Sequence, residues 1–302
     1  MATPYTPPTF LSSEDWKTHL DQEGYVVIRE VLTPEQKSDS MELFKREWCQ
    51  VSSGFSWENS TTWNIQNSPM MFGKGMTMFN GFGQSNFMWG LRTNPNIYGI
   101  FQKLYETEEL VVSMDGFSIF LSDKQKSKSW LHVDQNPKND IYSIQGAYNF
   151  LPVEENGAGF IVVPRSHKEF IPETKHKKDW IVVDQDIFLP QAKKLLIPEN
   201  CFVLWNSKII HANQGMEKGT TGFNRLTTYI TYLPKSSRTE EIRLKRMSAY
   251  FSGKATSHWS NKCELKRYPF GFKTNYEKKG FSDILPETTE DGSIPVDRMR
   301  FI

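Results

Sequence analysis

The amino-acid sequence predicts a mainly β fold with flanking helices, built as an antiparallel sandwich or barrel. Two observations carry this expectation. Residues 110 to 234 break into short runs rich in β-branched and aromatic residues, punctuated by Gly, Pro and Asn, with no crossover helices of the kind a parallel sheet needs. The chain of 302 residues is 38% hydrophobic and 14% aromatic, which supplies the bulk for a large core and argues against disorder. Length alone allows two domains, although one decorated sandwich of about 250 residues is common. A single domain over 1–302 is expected, with N-terminal support at 1–109, the β core at 110–234 and an extension at 235–302.

Taken in order, Ser12 to Asp21 reads as a short helix, with Ser12 or Ser13 as cap and Glu14 and Asp15 in its first turn. GYVVIREVL follows as a strand, and Thr33-Pro34-Glu35 starts a helix reaching about Gln50. Residues 52–96 have no sustained period, yet contain five Met, five Phe and three Trp, so they must pack on something. They either cover one end of the core or line a substrate pocket. A helix over Asn96 to Tyr105 precedes the strands LVVSMDGFSIFLSD, SWLHVDQ, IYSIQGAYNFLPV, GAGFIVVP, KKLLIPENCFVLWN, IIHANQG and RLTTYITYLP. The last 68 residues open with a basic amphipathic helix, SSRTEEIRLKRMSAYFS, and end in a tail that Trp259, Phe270 and Phe272 would anchor.

Charge and cysteine usage remove several classes. Lys and Arg number 36 against 35 Asp and Glu, a net charge of +1, so nucleic acid is not expected as a partner. No basic start with an apolar run and no stretch of about eighteen apolar residues is present, which points to a cytoplasmic protein without a membrane span. Cys49, Cys201 and Cys263 are odd in number and far apart, so buried reduced thiols are expected rather than a disulfide framework or a cysteine metal site. Any metal falls to histidine and carboxylate.

Among six histidines, His132 in Leu-His-Val-Asp and His211 in Ile-Ile-His-Ala-Asn stand out. In an extended strand residues i and i+2 share a face, so His132 and Asp134 project together. His211 ends another strand 79 residues on. Two His and one carboxylate leave three positions open on an iron, the arrangement of non-haem Fe(II) oxygenases. His-x-Asp alone is common by chance. Arg225 adds weight: it shares a strand face with Thr227, Tyr229 and Thr231, and a guanidinium inside a β core needs a fixed anion. That anion is either a core carboxylate or the far carboxylate of a co-substrate gripped by the fork.

These residues lie in four segments that resemble, in order, the phytanoyl-CoA dioxygenase family of iron(II)/2-oxoglutarate-dependent oxygenases. The segments are GYVVIREVLTPEQ, LHVDQNP, QGAYNFLPVEENGAGFIVVPRSHKEF and NCFVLWNSKIIHANQG with NRLTTYITY, within a likeness running from about His19 to Pro234. The resemblance implies a double-stranded β-helix, or cupin-like jelly roll. It implies that His132, Asp134 and His211 ligate Fe(II), and that Arg225 pairs with the 5-carboxylate of 2-oxoglutarate, with Thr227 on the same strand face. Gln145 falls where relatives place a co-substrate contact. Asn213 stands where Ser is common, and Arg165 where many relatives have Gly, which bears on the turn more than on the chemistry. The implied reaction consumes O2 and 2-oxoglutarate and releases succinate and CO2. Retention of Asp134 favours hydroxylation over halogenation, since related halogenases carry a small residue there.

The other histidines read as structural. His167 belongs to a Pro-Arg-Ser-His turn, His176 to a solvated KHKKD run, and His19 to the first helix; His258 and Trp259 are candidates for the mouth of the site. The basic stretch with Arg165, Lys168, Lys175, Lys177 and Lys178 reads as an exposed loop or as a lid attracting an anionic substrate. The function expected is hydroxylation of a small-molecule or lipid-like substrate. The rivals are hydroxylation of a protein or nucleic-acid side group, and a catalytically silent jelly-roll binding protein.

Overall fold

The computed structural model of the chain describes residues 2–64, 66–71, 75–122, 130–169, 178–266 and 283–302. The strands are β1 (Thr3–Tyr5), β2 (Thr9–Phe10), β3 (Tyr25–Ile28), β4 (Met76–Thr77), β5 (Leu110–Val112), β6 (Phe117–Ser122), β7 (His132–Val133), β8 (Ile144–Asn149), β9 (Gly159–Val163), β10 (Ile181–Val182), β11 (Lys193–Leu195), β12 (Cys201–Asn206), β13 (Ile210–Gln214), β14 (Thr221–Tyr229) and β15 (Tyr232–Pro234). The helices are α1 (Lys17–Glu23), α2 (Pro34–Val51), α3 (Asn86–Arg92), α4 (Pro95–Tyr105), α5 (Ser166–Glu169), α6 (Gln185–Phe188), α7 (Glu240–Phe251) and α8 (Val296–Met299). The chain forms two compact units, Met1–Val31 with Phe120–Thr227, and Leu32–Ile119 with Thr228–Ile302. β6 and β14 each run from one unit into the other.

In the first unit one sheet has the order β1-β11-β9-β13-β7-β10, and the second includes β2-β3-β12-β8-β14. Apart from β10, which stays in the sheet of β9 and β11, the strands from β7 onward alternate between them: β7, β9, β11 and β13 lie in one sheet, β8, β12 and β14 in the other, which is the winding of a jelly roll. Most pairs are antiparallel, as the short connections require. Two are parallel, β1 with β11 and β2 with β3, and these N-terminal strands were not expected. Each sits at a sheet edge, and Pro4 in β1 has no N–H to offer a ladder, so it suits that position.

Period-two alternation divides the residues of the first sheet. Leu131, Val133, Ile161, Val163, Ile210 and Ala212 form one apolar cluster with Ile181, Val183 and Ala2. Each such buried aliphatic side chain is worth about 1.5–3 kcal/mol. The alternate residues His132, Phe160, Val162, His211 and Asn213 therefore take the opposite face, toward the second sheet.

The first helix differs from expectation. It starts at Lys17 rather than Ser12, because Trp16, fully buried, holds the preceding turn by donating its indole N–H to Ser12 O at 3.2 Å. It ends at Gly24, whose φ of 81° closes the helix. There a Cβ would lie 2.5 Å from His167 Nδ1, so glycine is required twice over. His167 plays the structural part expected of it, donating Nε2–H to Asp21 O at 3.0 Å. Arg165 occupies the left-handed region at φ 67° and pairs with Glu23 at 2.7 Å. A left-handed backbone is uncommon for a residue other than glycine. His19, in α1, packs its ring between Phe10 and Tyr25.

The second unit gathers the aromatic residues. α2 starts as expected: Thr33 and Gln36 form a reciprocal capping box with Pro34 at the first position. Its buried Phe44 and Trp48 pack against Phe55, Trp57, Phe82, Phe87 and Phe117, with ring centroids 5.1–6.3 Å from one or other of them. Residues 52–96 are not wholly aperiodic, since α3 lies within them. Phe87, Met88, Trp89, Leu91 and Arg92 are all buried and only Asn86 and Gly90, on one face, are exposed, so the helix shows too narrow a polar strip to give an amphipathic period in the sequence. Its first N–H groups are held by Ser85 and by the buried Glu47 carboxylate, which accepts from Asn86 at 2.9 Å and Phe87 at 3.2 Å. Burial pushes the Glu47 carboxyl up against those stabilising bonds.

α7 is capped by Thr239. Trp259 is buried as expected, with the Lys262 ammonium 4.4 Å over its ring. Phe270, Phe272, Lys175, His176 and Lys177 lie outside the described residues. Of the three cysteines only Cys201 is buried; Cys49 is exposed on the solvent side of α2 and Cys263 is intermediate, so the expectation of three buried thiols is corrected. Among the described residues no helix is long and apolar enough to cross a membrane.

Candidate metal centre

His132 and His211 are directly opposed partners on the neighbouring strands β7 and β13. Asp134, one residue past the end of β7, is held by its N–H to Ser207 O at 3.0 Å, and Ser207 itself bonds Ser143. The carboxylate lies 3.4 Å from His132 Nε2 through Oδ1 and 3.2 Å from His211 Nε2 through Oδ2. The cluster has one ligand atom from each residue, all within 4.8 Å of one another.

Each imidazole is fixed from behind in the same way. His132 Nδ1 meets Trp130 O at 2.9 Å, and His211 Nδ1 meets Ile209 O at 3.0 Å. A carbonyl only accepts, so each Nδ1 carries the proton and each Nε2 turns its lone pair toward the carboxylate. Burial pushes the His132 imidazole below its usual value, opposed by the Asp134 charge, which favours the neutral form a metal ligand needs. Two lone pairs facing a carboxylate repel unless a cation lies among them, so the donor set suits a divalent metal.

The expected co-substrate residues fall into two groups. Gln145, in β8, donates its amide to Asp134 Oδ2 at 2.9 Å, so it touches the metal cluster itself. Arg225 is 3% exposed; its Nε donates to Thr227 Oγ1 at 3.0 Å, and Thr227 donates on to Asn149 Oδ1 at 2.8 Å. Gln145 and Asn149 are four residues apart on one face of β8, so this strand links the metal cluster to the arginine. Asn213 is buried two residues beyond His211 on the same face of β13, and its backbone carbonyl accepts from Trp130 Nε1 at 3.0 Å.

Sequence reasoning did not single out the rings around this cluster. Trp130 stacks on His132, centroids 4.5 Å apart and planes 15° apart. Trp180 lies 5.8 Å from the same imidazole, while Phe160 and Trp205 each lie 5.7 Å from His211. Trp130 was legible, since it stands two residues before His132 on the same strand face. Trp180 was not, because only the β10–β7 register brings it there. Lys194, also missed, is 1% exposed and donates to Glu155 O and Gly157 O at 2.5 and 2.6 Å. Burial pulls its ammonium down to about 8.

Fold and cluster together define a jelly-roll protein with a two-histidine, one-carboxylate metal site. No protein-family model matches the chain. It is 28% identical over 250 residues to "Ava biosynthesis cluster protein O" of Aspergillus versicolor, covering 75% of this chain and 80% of that one. It is 23% identical over 299 residues to "Putative phytanoyl-CoA dioxygenase" of Dictyostelium discoideum, covering 82% and 81%. Among solved structures it is similar to EctD from S. alaskensis with 2-oxoglutarate and 5-hydroxyectoine, with a TM-score of 0.54, 11% identity and coverage of 89% and 92%. The likeness to EctD shows the jelly-roll fold. One of the two relatives carries the name of the family that the four sequence segments resemble.

Proposed function

We propose that the protein is an Fe(II)- and 2-oxoglutarate-dependent dioxygenase that hydroxylates a small-molecule or lipid-like substrate in the cytoplasm. The observation that carries this reading is the cluster of His132, Asp134 and His211, with both Nδ1 protons tied to backbone carbonyls and both Nε2 lone pairs directed inward. These three residues would hold the iron. Arg225 would grip the far carboxylate of 2-oxoglutarate, with Thr227 fixing its guanidinium. Gln145 and Asn213 would border the co-substrate. Iron held by these three residues would supply the chemistry by which O2 oxidises the substrate while 2-oxoglutarate is converted to succinate and CO2.

The protein's own contribution is orientation and shielding. Gln145 and the Ser207 carbonyl fix the Asp134 carboxylate through its side chain and its backbone N–H. Trp130, Phe160 and Trp205 surround the imidazoles with apolar surface, which limits water at the reacting centre. Asp134 occupies the third ligand position with a carboxylate, which supports hydroxylation over halide chemistry.

Succinate formation from 2-oxoglutarate with Fe(II) and O2 tests the proposal. Wild-type protein should form succinate, and His132→Ala and Asp134→Ala should not. Absence of iron binding and of turnover in the wild type, across a panel of small-molecule substrates, would leave a silent jelly-roll binder as the better account.

A further inference from the structure

The indole of Trp205 is 3% exposed, and its Nε1–H has no acceptor among the described residues. Buried donors are nearly always paired, and one left unmade destabilises the fold unless a ligand or ordered water completes it. Trp130, a second tryptophan beside a histidine of the cluster and largely buried, obeys the rule by donating to Asn213 O. A phenylalanine would fill the ring's place between Phe160, at 4.9 Å, and His211, at 5.7 Å, without an orphaned N–H. Packing therefore does not account for the nitrogen.

The register says which chamber the indole borders. Trp205 is the direct cross-strand partner of Gln145, so the two side chains stand together on the face between the sheets, and Gln145 reaches Asp134. Along the same face the paired residues are Val203 with Ala147, then Cys201 with Asn149, which bonds the Thr227 that holds Arg225. The row runs from the metal cluster past small side chains to the arginine. A dicarboxylate with one end at the metal and the other at Arg225 would lie along it, with Trp205 flanking the metal end.

We propose that Trp205 donates its indole N–H to a carboxylate oxygen of 2-oxoglutarate at the metal end of this row. This rests on the function proposed above. An indole suits the position because it supplies a directed donor without a fixed positive charge beside the metal. Trp205 thereby sets co-substrate affinity and orientation.

The test uses the full chain with Zn(II) in place of iron, so that binding is read without turnover. In Trp205→Phe, 2-oxoglutarate should bind roughly 10- to 100-fold more weakly by calorimetry, the value of one hydrogen bond to a charged acceptor. The ligand-free variant should melt no lower than wild type, because the donor it loses has no partner there. In wild-type protein labelled with 15N at the tryptophan indoles, adding 2-oxoglutarate should shift one indole N–H and slow its exchange; this readout holds even if the variant does not fold. Equal affinity in variant and wild type, or indole signals that ignore the ligand, would overturn the assignment while leaving the dioxygenase reading in place. Failure of wild-type protein to bind 2-oxoglutarate at all would overturn both.

Discussion

Gln145 donates its side-chain amide to Asp134 Oδ2, at 2.9 Å, the same oxygen that lies 3.2 Å from His211 Nε2. The amide therefore orients a carboxylate that two imidazoles also face. Gln145→Leu removes that donor while keeping the volume. Outer partners of metal ligands typically contribute 10- to 100-fold in affinity, so the variant should bind Fe(II) or Zn(II) about tenfold or more weakly in a chelator competition. Unchanged metal affinity would show that the Ser207 contact alone positions Asp134.

Arg225→Ala should raise the 2-oxoglutarate concentration needed for half-maximal succinate formation by roughly 10- to 100-fold, the loss expected for a charge-assisted fork. Iron affinity should be unaffected, because Arg225 is not one of the three residues whose ligand atoms converge. An unchanged requirement for 2-oxoglutarate would move the anion-binding role to another cation.

Gly24→Ala places a Cβ 2.5 Å from His167 Nδ1 and 2.9 Å from Ile209 Cδ1, on a backbone with φ 81°. Strain from the left-handed backbone and from the overlap should destabilise the fold by about 2–4 kcal/mol in urea unfolding. Adding His167→Ala should recover the part owed to the imidazole but neither the overlap with Ile209 nor the backbone part. Full recovery would mean that the backbone conformation contributes nothing.

Lys194 gives a pH signature. Its ammonium is pulled to about 8 by burial, against a usual 10.5, so between these values the unfolded chain binds more protons at this position than the folded one. The sign follows: this residue makes stability rise as pH increases from about 8 toward 10.5, and contributes no slope below 8. Wild type minus Lys194→Met, compared by urea unfolding across that range, should show the rise. A flat difference would mean that the carbonyls of Glu155 and Gly157 hold the charged form as well as water does.

Much of the centre was legible because strand geometry is local. Alternation alone put His132 with Asp134, and Arg225 with Thr227, on shared faces. The capping box at Thr33 was written in four consecutive residues. What was hidden depends on register and burial. α3 exposes only Asn86 and Gly90, so its sequence carries too narrow a stripe to read. β1 and β2 are too short to stand out, and gain order only by pairing with β11 and β3. Trp205 looks like any core aromatic until its partner across the ladder is known to be Gln145. The true role of Gly24 needed His167, far along the chain, to come close enough to exclude a methyl group.

The direct opposition of His132 and His211 across β7 and β13 has a mechanical consequence. β7 is two residues long, so its own ladder holds it weakly. An ion gripped by both histidines would act as a removable cross-link, closing a loop of 79 residues and anchoring this short strand to a longer one. Folding and metal uptake would then be thermodynamically linked, with each tenfold excess of metal over its dissociation constant adding about 1.4 kcal/mol to the resistance of this region against opening. The same three side chains that would carry the oxidation chemistry would also serve as a clasp.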